Sequence, residues 1–181
     1  MLVELTDSYF ELNLDHVPNN FLKKDFMVEE NRHIIFATDQ MLQLMTNAKT
    51  WYMDGIFKIV KKPFSQLFNI HVFIKERDHT KQVPVLFVLM TSRSKKDYKK
   101  LFKKIKGLLT GDVKLKKGVM DFEAAVWKEF PDIFPGVKLQ GCLFHWTQCV
   151  WRHIQAIGLQ ASYIQDNGTF KFYRRKSKVN Q

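Results

Sequence analysis

Cysteine is nearly absent. Cys142 and Cys149 are the only two in 181 residues, which excludes a fold built on disulfides and fits a reducing, intracellular compartment. No run of about 18 apolar residues occurs, so no membrane span is expected. The opening MLVELTDSYFELNLD mixes acids with apolar residues and lacks a basic start, so it does not read as a secretory signal. There is no internal repeat, and 181 residues with 45% hydrophobic side chains suffice for one domain with a real core but are too few for two. Acids become scarce after the first quarter. Residues 1–50 hold eight acids against four bases, whereas residues 55–181 hold nine acids against 25 bases. With a formal net charge of +11, the chain points to a polyanion partner, most simply nucleic acid; the plainer alternative is a solubility charge.

Bulky apolar material is plentiful, with sixteen Phe and four Trp. Residues 1–27 are weakly patterned and read as the end of a helical or loop region, broken at Pro18-Asn19-Asn20. His33–Ala37 reads as a short strand, and Thr38 or Asp39 caps a helix from about Gln40 to Asn47. Three strand-like stretches follow, Thr50–Val60, Gln66–Ile74 and Val83–Met90. The last, VPVLFVLM, is continuously apolar, as a buried central strand is. The short polar link Lys75–Lys81 predicts a hairpin between the second and third. Ser94 or Asp97 then caps a helix to about Leu109, with Tyr98, Leu101, Phe102, Ile105 and Leu108 at helical spacing and Gly107 and Gly111 favouring its end. A strand over Lys117–Asp121, a helix over Phe122–Phe130 punctuated by Pro131 and Pro135, a strand over Val137–Leu143 and a helix over His145–Ile157 with Gly158 as its cap complete the pattern. The basic Tyr173–Lys178 stretch is expected to fray. Three strands followed by alternating helices and strands predict an α/β fold, a mixed sheet flanked by helices. This order matches the ribonuclease H-like arrangement.

Two aspartates interrupt apolar surroundings. Asp54 lies in WYMDGIFKIV, and a lone carboxylate in a buried strand costs several kcal/mol unless it is paired, hydrogen-bonded or metal-bound. Asp121 lies in GVMDFEAAV at a strand end before a helix, where ligands bind in α/β sheets. If the two strands are neighbours, the carboxylates need a cation between them, and Mg²⁺ takes oxygen ligands while keeping waters. Two ions about 4 Å apart activate a nucleophile and stabilise the leaving oxygen in phosphodiester attack. The plainer readings remain: Asp54-Gly55 as a turn and Asp121 as a helix N-cap.

Cys142, His145, Cys149 and His153 cluster at a strand-to-helix junction and along one helix face. Their spacing matches no standard zinc finger, so zinc is not expected there, and a partly buried helix face is the plainer account. Lys95, Lys96, Lys99, Lys100, Lys103, Lys104 and Lys106 share one helix with only Asp97 to balance them, which favours contact with a phosphate backbone over a merely solvated face. Trp127, Trp146 and Trp151 read as core side chains.

In combination, RHIIFATDQMLQLMTNAKTWYMDGIFKIV, FSQLFNIHVF, VMDFEAAVWKEFP and LQGCLFHWTQCVWRHIQAIGL resemble the transposase domain of Mutator-like elements. The resemblance covers about residues 31–163, with residues 1–30 as a lead-in and 164–181 as a basic tail. It implies a ribonuclease H-like fold and Mg²⁺- or Mn²⁺-dependent DNA strand cleavage and transfer in the nucleus, with transposon ends as the DNA, no membrane partner, and self-association as an option. Asp54 and Asp121 match the first two acids of the family's D-D-E triad, and Cys142 and His145 match its C-x2-H motif. The family's third acid lies on a helix well beyond that motif. Here the only later acid is Asp166, in a turn-like segment, so a truncated copy with weak or no catalysis is expected. The alternative is a relict or domesticated DNA-binding protein without chemistry.

Overall fold

Strands and helices alternate through the computed structural model, which describes residues 10–77 and 79–165. The chain divides into two units, Met1–Gln140 and Gly141–Gln181. In the first, β1 (Leu22–Val28) and β2 (Asn31–Phe36) precede α1 (Asp39–Asn47), and β3 (Thr50–Ile56), β4 (Gln66–Glu76) and β5 (His79–Met90) then run in succession. Helix α2 (Lys95–Leu108), β6 (Lys117–Met120), α3 (Ala124–Ile133) and β7 (Lys138–Gly141) follow. One seven-stranded sheet results, in the order β1-β2-β5-β4-β3-β6-β7. Strand β3 pairs antiparallel with β4 and parallel with β6, which makes the sheet mixed. This is the expected ribonuclease H-like α/β fold, carrying β1 and β2 as an additional edge.

Helix ends are set by local chemistry. The Thr38 hydroxyl accepts from Met41 N at 3.1 Å and starts α1. At α2 the exchange is reciprocal: Ser94 N donates to the Asp97 carboxylate at 2.7 Å, and Asp97 N donates to the Ser94 hydroxyl at 3.3 Å. Packing follows the period-two alternation of the strands. Trp51 meets Phe130 and Phe134 of the α3 region at 6.3 and 5.2 Å, and Phe68 meets Tyr98 and Phe102 of α2 at 5.8 and 6.2 Å. Met53, Ile70, Leu86, Val88 and Met90 join them in one buried cluster. Each such side chain contributes about 1.5–3 kcal/mol on burial, so the sheet face beneath α2 and α3 is the stabilising one.

Residues 22–28 form a strand, not the expected helical or loop segment. LKKDFMV lacks an apolar alternation because β1 is an edge strand, and its charges pair with neighbours: Lys23 with Asp39, and Asp25 with Arg32. Pro131 does not end the helix at Phe130 as the sequence suggests: α3 runs through it and stops two residues later, at Ile133. In the second unit, α4 (Leu143–Ala156) and α5 (Gln160–Gln165) follow. Trp146 is not core: it is 40% exposed, and α4 buries none of its side chains. Trp151 lies half-buried against Tyr163. Gly158 takes the left-handed backbone (φ +73) expected of a C-terminal cap. Asp166 and the basic Tyr173–Lys178 stretch lie outside the described residues. Among those described, no helix is long and apolar enough to cross a membrane.

Candidate active site

Asp54 and Asp121 are brought side by side by strand pairing. Met53 of β3 faces Met120 of β6 in parallel register, and each aspartate follows directly. Neighbouring strands lie about 4.8 Å apart, so the backbone at Asp54, inside β3, and at Asp121, directly after β6, lies at the same level on adjacent strands. Asp54 is not in a turn. It pairs with Asn69, and Gly55 pairs with Phe68, within the β3–β4 ladder. Gly55 has a packing reason of its own: a Cβ there would come within 2.6 Å of the Gln66 side-chain oxygen.

Side-chain alternation sorts the two faces. Trp51 and Met53 point to the α2–α3 core, so Tyr52 and Asp54 point to the opposite face. Tyr52 packs edge-on against Phe73 there at 4.8 Å. His71, the register partner of Tyr52, has its imidazole pushed down by burial, while the Asp54 charge pulls the other way. The imidazole stays neutral beside the aspartate.

Asp121 organises the loop into α3. Its carboxylate accepts from Glu123 N at 3.2 Å, and its backbone carbonyl accepts from the Trp127 indole at 2.6 Å. The N-cap expectation is thus met in part, with Glu123 as the residue at the cap. The Phe122 and Trp127 rings lie parallel, 6.4 Å apart, with Phe122 50% exposed. On the β3 side, Phe57 is 44% exposed, and the Arg93 guanidinium sits 4.8 Å above its ring.

Sequence patterning did not single out Glu123. Its carboxylate accepts from the Tyr98 hydroxyl at 2.7 Å, and that hydroxyl accepts from the Gln66 amide at 2.6 Å. Arg93 stands 3.9 Å from its other oxygen. Burial pushes the Glu123 carboxyl up, the Tyr98 hydrogen bond opposes this, and the Asp121 charge adds to the rise. Burial likewise drives the Tyr98 phenol far up, so it serves only as a neutral donor. The D-x-E spacing was the available signal, but a Glu at the start of a helix looks ordinary.

The lysines divide. Lys96 pairs with Glu29, and Lys99 lies 3.7 Å from Glu129 and 3.6 Å from Asp132. Lys106 donates to the Ile133 carbonyl at 2.8 Å, and Lys104 lies 5.9 Å from the centre of the Phe26 ring. Lys95, Lys100 and Lys103 are exposed and have no ion pair among the described residues. Asp97 does not balance this face. It is buried and bonded to His33 at 3.0 Å, and the balancing acids come from other elements. In the second unit, Cys142 is the N-cap residue of α4 and a free, half-buried thiol; Cys149 is free and exposed. His145 and His153 lie on the same helix.

Among the described residues, no three His, Cys, Asp or Glu side chains are grouped to hold a metal ion. The two strand-borne carboxylates nevertheless suit a hard divalent cation, which takes oxygen donors and retains waters. Asn69, paired with Asp54, adds a buried side-chain oxygen that accepts no hydrogen bond among the described residues.

A family model described as MULE transposase domain matches residues 50–149, from β3 into α4. Both aspartates and the C-x2-H motif fall inside that span. No curated protein and no solved structure matches the chain.

Proposed function

The chain belongs to the MULE transposase domain family, and from that premise we propose that Asp54 and Asp121 are the two strand-borne carboxylates of a divalent-metal site for phosphodiester chemistry on DNA. The observation that carries the reading is the register: Met53 opposite Met120 puts both acids at one level on adjacent parallel strands. Asp54 and Asp121 would hold Mg²⁺ or Mn²⁺, which supplies a more acidic water or hydroxyl nucleophile and neutralises charge on the leaving oxygen. The protein's own part is positional. The β3–β6 pairing fixes the spacing of the carboxylates, the Glu123 N–H orients one oxygen of Asp121, and the Trp127 indole anchors the Asp121 backbone. Burial favours the neutral imidazole at His71, so that ring adds no positive charge against a cation approaching Asp54.

DNA is the substrate that family membership points to, transposon ends in particular, and the +11 net charge supports a polyanion partner. Lys95, Lys100 and Lys103 are the α2 cations best placed to meet phosphate. The direct test is plasmid nicking and strand transfer with Mg²⁺ or Mn²⁺. Activity should fall by about 100-fold or more in Asp54→Ala and in Asp121→Ala. Robust activity surviving either change would overturn the assignment.

A second reading, DNA binding without catalysis, is favoured by one observation: no three acidic or metal-ligating side chains group together among the described residues. It predicts salt-sensitive DNA binding that the Asp54→Ala change leaves intact, with no nicking by the unmodified protein.

A further inference from the structure

We propose that Asn69 is a third oxygen donor of this site and meets the same divalent cation as Asp54. The inference rests on the reading of Asp54 and Asp121 as a cation-binding pair. Asn69 is the direct register partner of Asp54 on β4, and paired residues present their side chains on the same face of the sheet, with Cβ atoms about 4.5–5.5 Å apart. Alternation agrees. Phe68 and Ile70 on either side of Asn69 are in the buried core, with Phe68 against α2, so Asn69 faces the other way, as Asp54 does. Asn69 on β4, Asp54 on β3 and Asp121, the residue directly after β6, therefore follow one another at one level across three neighbouring strands.

The condition of the Asn69 side chain points to a ligand. It is 1% exposed, and its Oδ1 accepts no hydrogen bond among the described residues. A buried amide oxygen without a donor is costly and uncommon. Its cross-strand partner on β5 is Phe87, so an apolar residue would be the stable choice there. A divalent cation on the Asp54 side resolves the cost, since a neutral amide oxygen is a hard donor of the kind Mg²⁺ and Mn²⁺ accept. It also adds a ligand without a third negative charge: two carboxylates already balance one divalent ion, and a third carboxylate would raise the repulsion in the metal-free protein.

The test measures Mn²⁺ binding to the full chain by calorimetry, alongside thermal melting without metal, for the unmodified protein, Asn69→Leu, Asn69→Asp and Asp54→Asn. Asn69→Leu should weaken Mn²⁺ affinity about tenfold or more and raise the metal-free Tm, because it removes an unsatisfied buried group. Asn69→Asp keeps the oxygen and loses the amide N–H; it should bind Mn²⁺ at least as tightly as the unmodified protein and melt lower without metal. Asp54→Asn should lose binding. If Asp54→Asn loses binding while Asn69→Leu keeps it, the Asn69 inference fails and the paired-acid reading stands. If Asn69→Asp is as weak as Asn69→Leu, Asn69 acts through its N–H and the donor role is overturned. If Asp54→Asn binds like the unmodified protein, or if that protein binds no Mn²⁺, the site reading fails and takes the inference with it.

Discussion

Two faces of the same pair of strands have been put to opposite uses. On the face toward α2 and α3, β3 and β4 present Trp51, Met53, Phe68 and Ile70, all buried in the aromatic cluster around Phe102 and Phe130. On the other face, the intervening positions are Tyr52, Asp54, Asn69 and His71, with a carboxylate, an amide lacking a donor and a desolvated imidazole. One face is built mainly from apolar packing; the other gathers polar and titratable side chains. Strict alternation lets a strand anchor the core with one residue and hold chemistry with the next. The comparison breaks if the two faces respond alike. Phe102→Ala should cost about 3–5 kcal/mol of stability, read from urea denaturation. Asp54→Asn should cost nothing in that assay, or even stabilise, while strand cleavage collapses. A stability loss from Asp54→Asn as large as that from Phe102→Ala would show that Asp54 is a structural residue.

Tyr98 is where the two uses touch. Its ring stacks on Phe102 in the core at 5.9 Å, and its hydroxyl links Gln66 to Glu123, whose N–H holds Asp121. Tyr98→Phe preserves the packing and removes the link. It should cost about 1–3 kcal/mol, because Gln66 and Glu123 are left short of a partner in a buried place. The Glu123 carboxyl, already pushed up by burial, should rise further once its hydrogen-bond donor is gone. Carboxyl NMR titration of the variant checks the direction, and an unchanged Glu123 titration would mean that the Tyr98 bond does not operate in solution.

The packed face was more legible in the sequence than the chemical one. VPVLFVLM and the apolar spacing from Tyr98 to Ile105 announce themselves, because burial demands many like residues in a regular period. Asp54 and Asp121 stood out for the converse reason, as charges inside apolar runs. Their adjacency follows from parallel pairing that residue patterning could only pose as a condition and the structure supplies. Asn69 gave no signal, since one Asn in QLFNIHVF looks like ordinary polar alternation until its burial and lack of a donor are known. Glu123 hid as a helix-start acid. The β1 strand was missed because its charges are answered by Asp39 and Arg32 through contacts between different elements. Trp146 misled in the other direction: helical spacing is the same whether a face is covered or bare.

His33 and Asp97 extend the contrast to acid. Both are buried on the α2 side and bonded at 3.0 Å. Burial holds the His33 imidazole below its ordinary value, although Asp97 pulls it up. For Asp97, burial pushes up, but hydrogen bonds from Ser92, Ser94 and His33 win and hold it below the usual carboxylate range. In both cases the folded state binds fewer protons than the unfolded chain. Stability should therefore be fully present above the ordinary His value of about 6.5 and fall as pH drops through it, by at most about 1.4 kcal/mol per pH unit per proton. A second decline, from Asp97, should begin near the ordinary Asp value. His33→Gln should flatten the first decline in urea midpoints measured between about pH 7 and 5, with a residue left from His71, whose shift has the same sign. An equally steep decline in the variant would place the acid sensitivity elsewhere.

The smallest expected effect sharpens the comparison at the surface of α2, where cations already answered by acids sit beside cations that are not. A phosphate meeting Lys100 or Lys103 displaces only water and counterions; one meeting Lys96 or Lys99 must first compete with Glu29, or with Glu129 and Asp132. Each lysine that neutralises a phosphate adds about 0.9 to the slope of log affinity against log salt. Lys100→Ala with Lys103→Ala should therefore lower that slope by about 2, measured by fluorescence anisotropy on a short duplex at several salt concentrations. Lys96→Ala with Lys99→Ala should lower it by clearly less, because those ammonium groups are partly neutralised before DNA arrives. Equal losses from the two pairs would mean that DNA strips the ion pairs away and recruits the whole face. No loss from either would move the polyanion contact off α2 and leave its lysines as solvated charge.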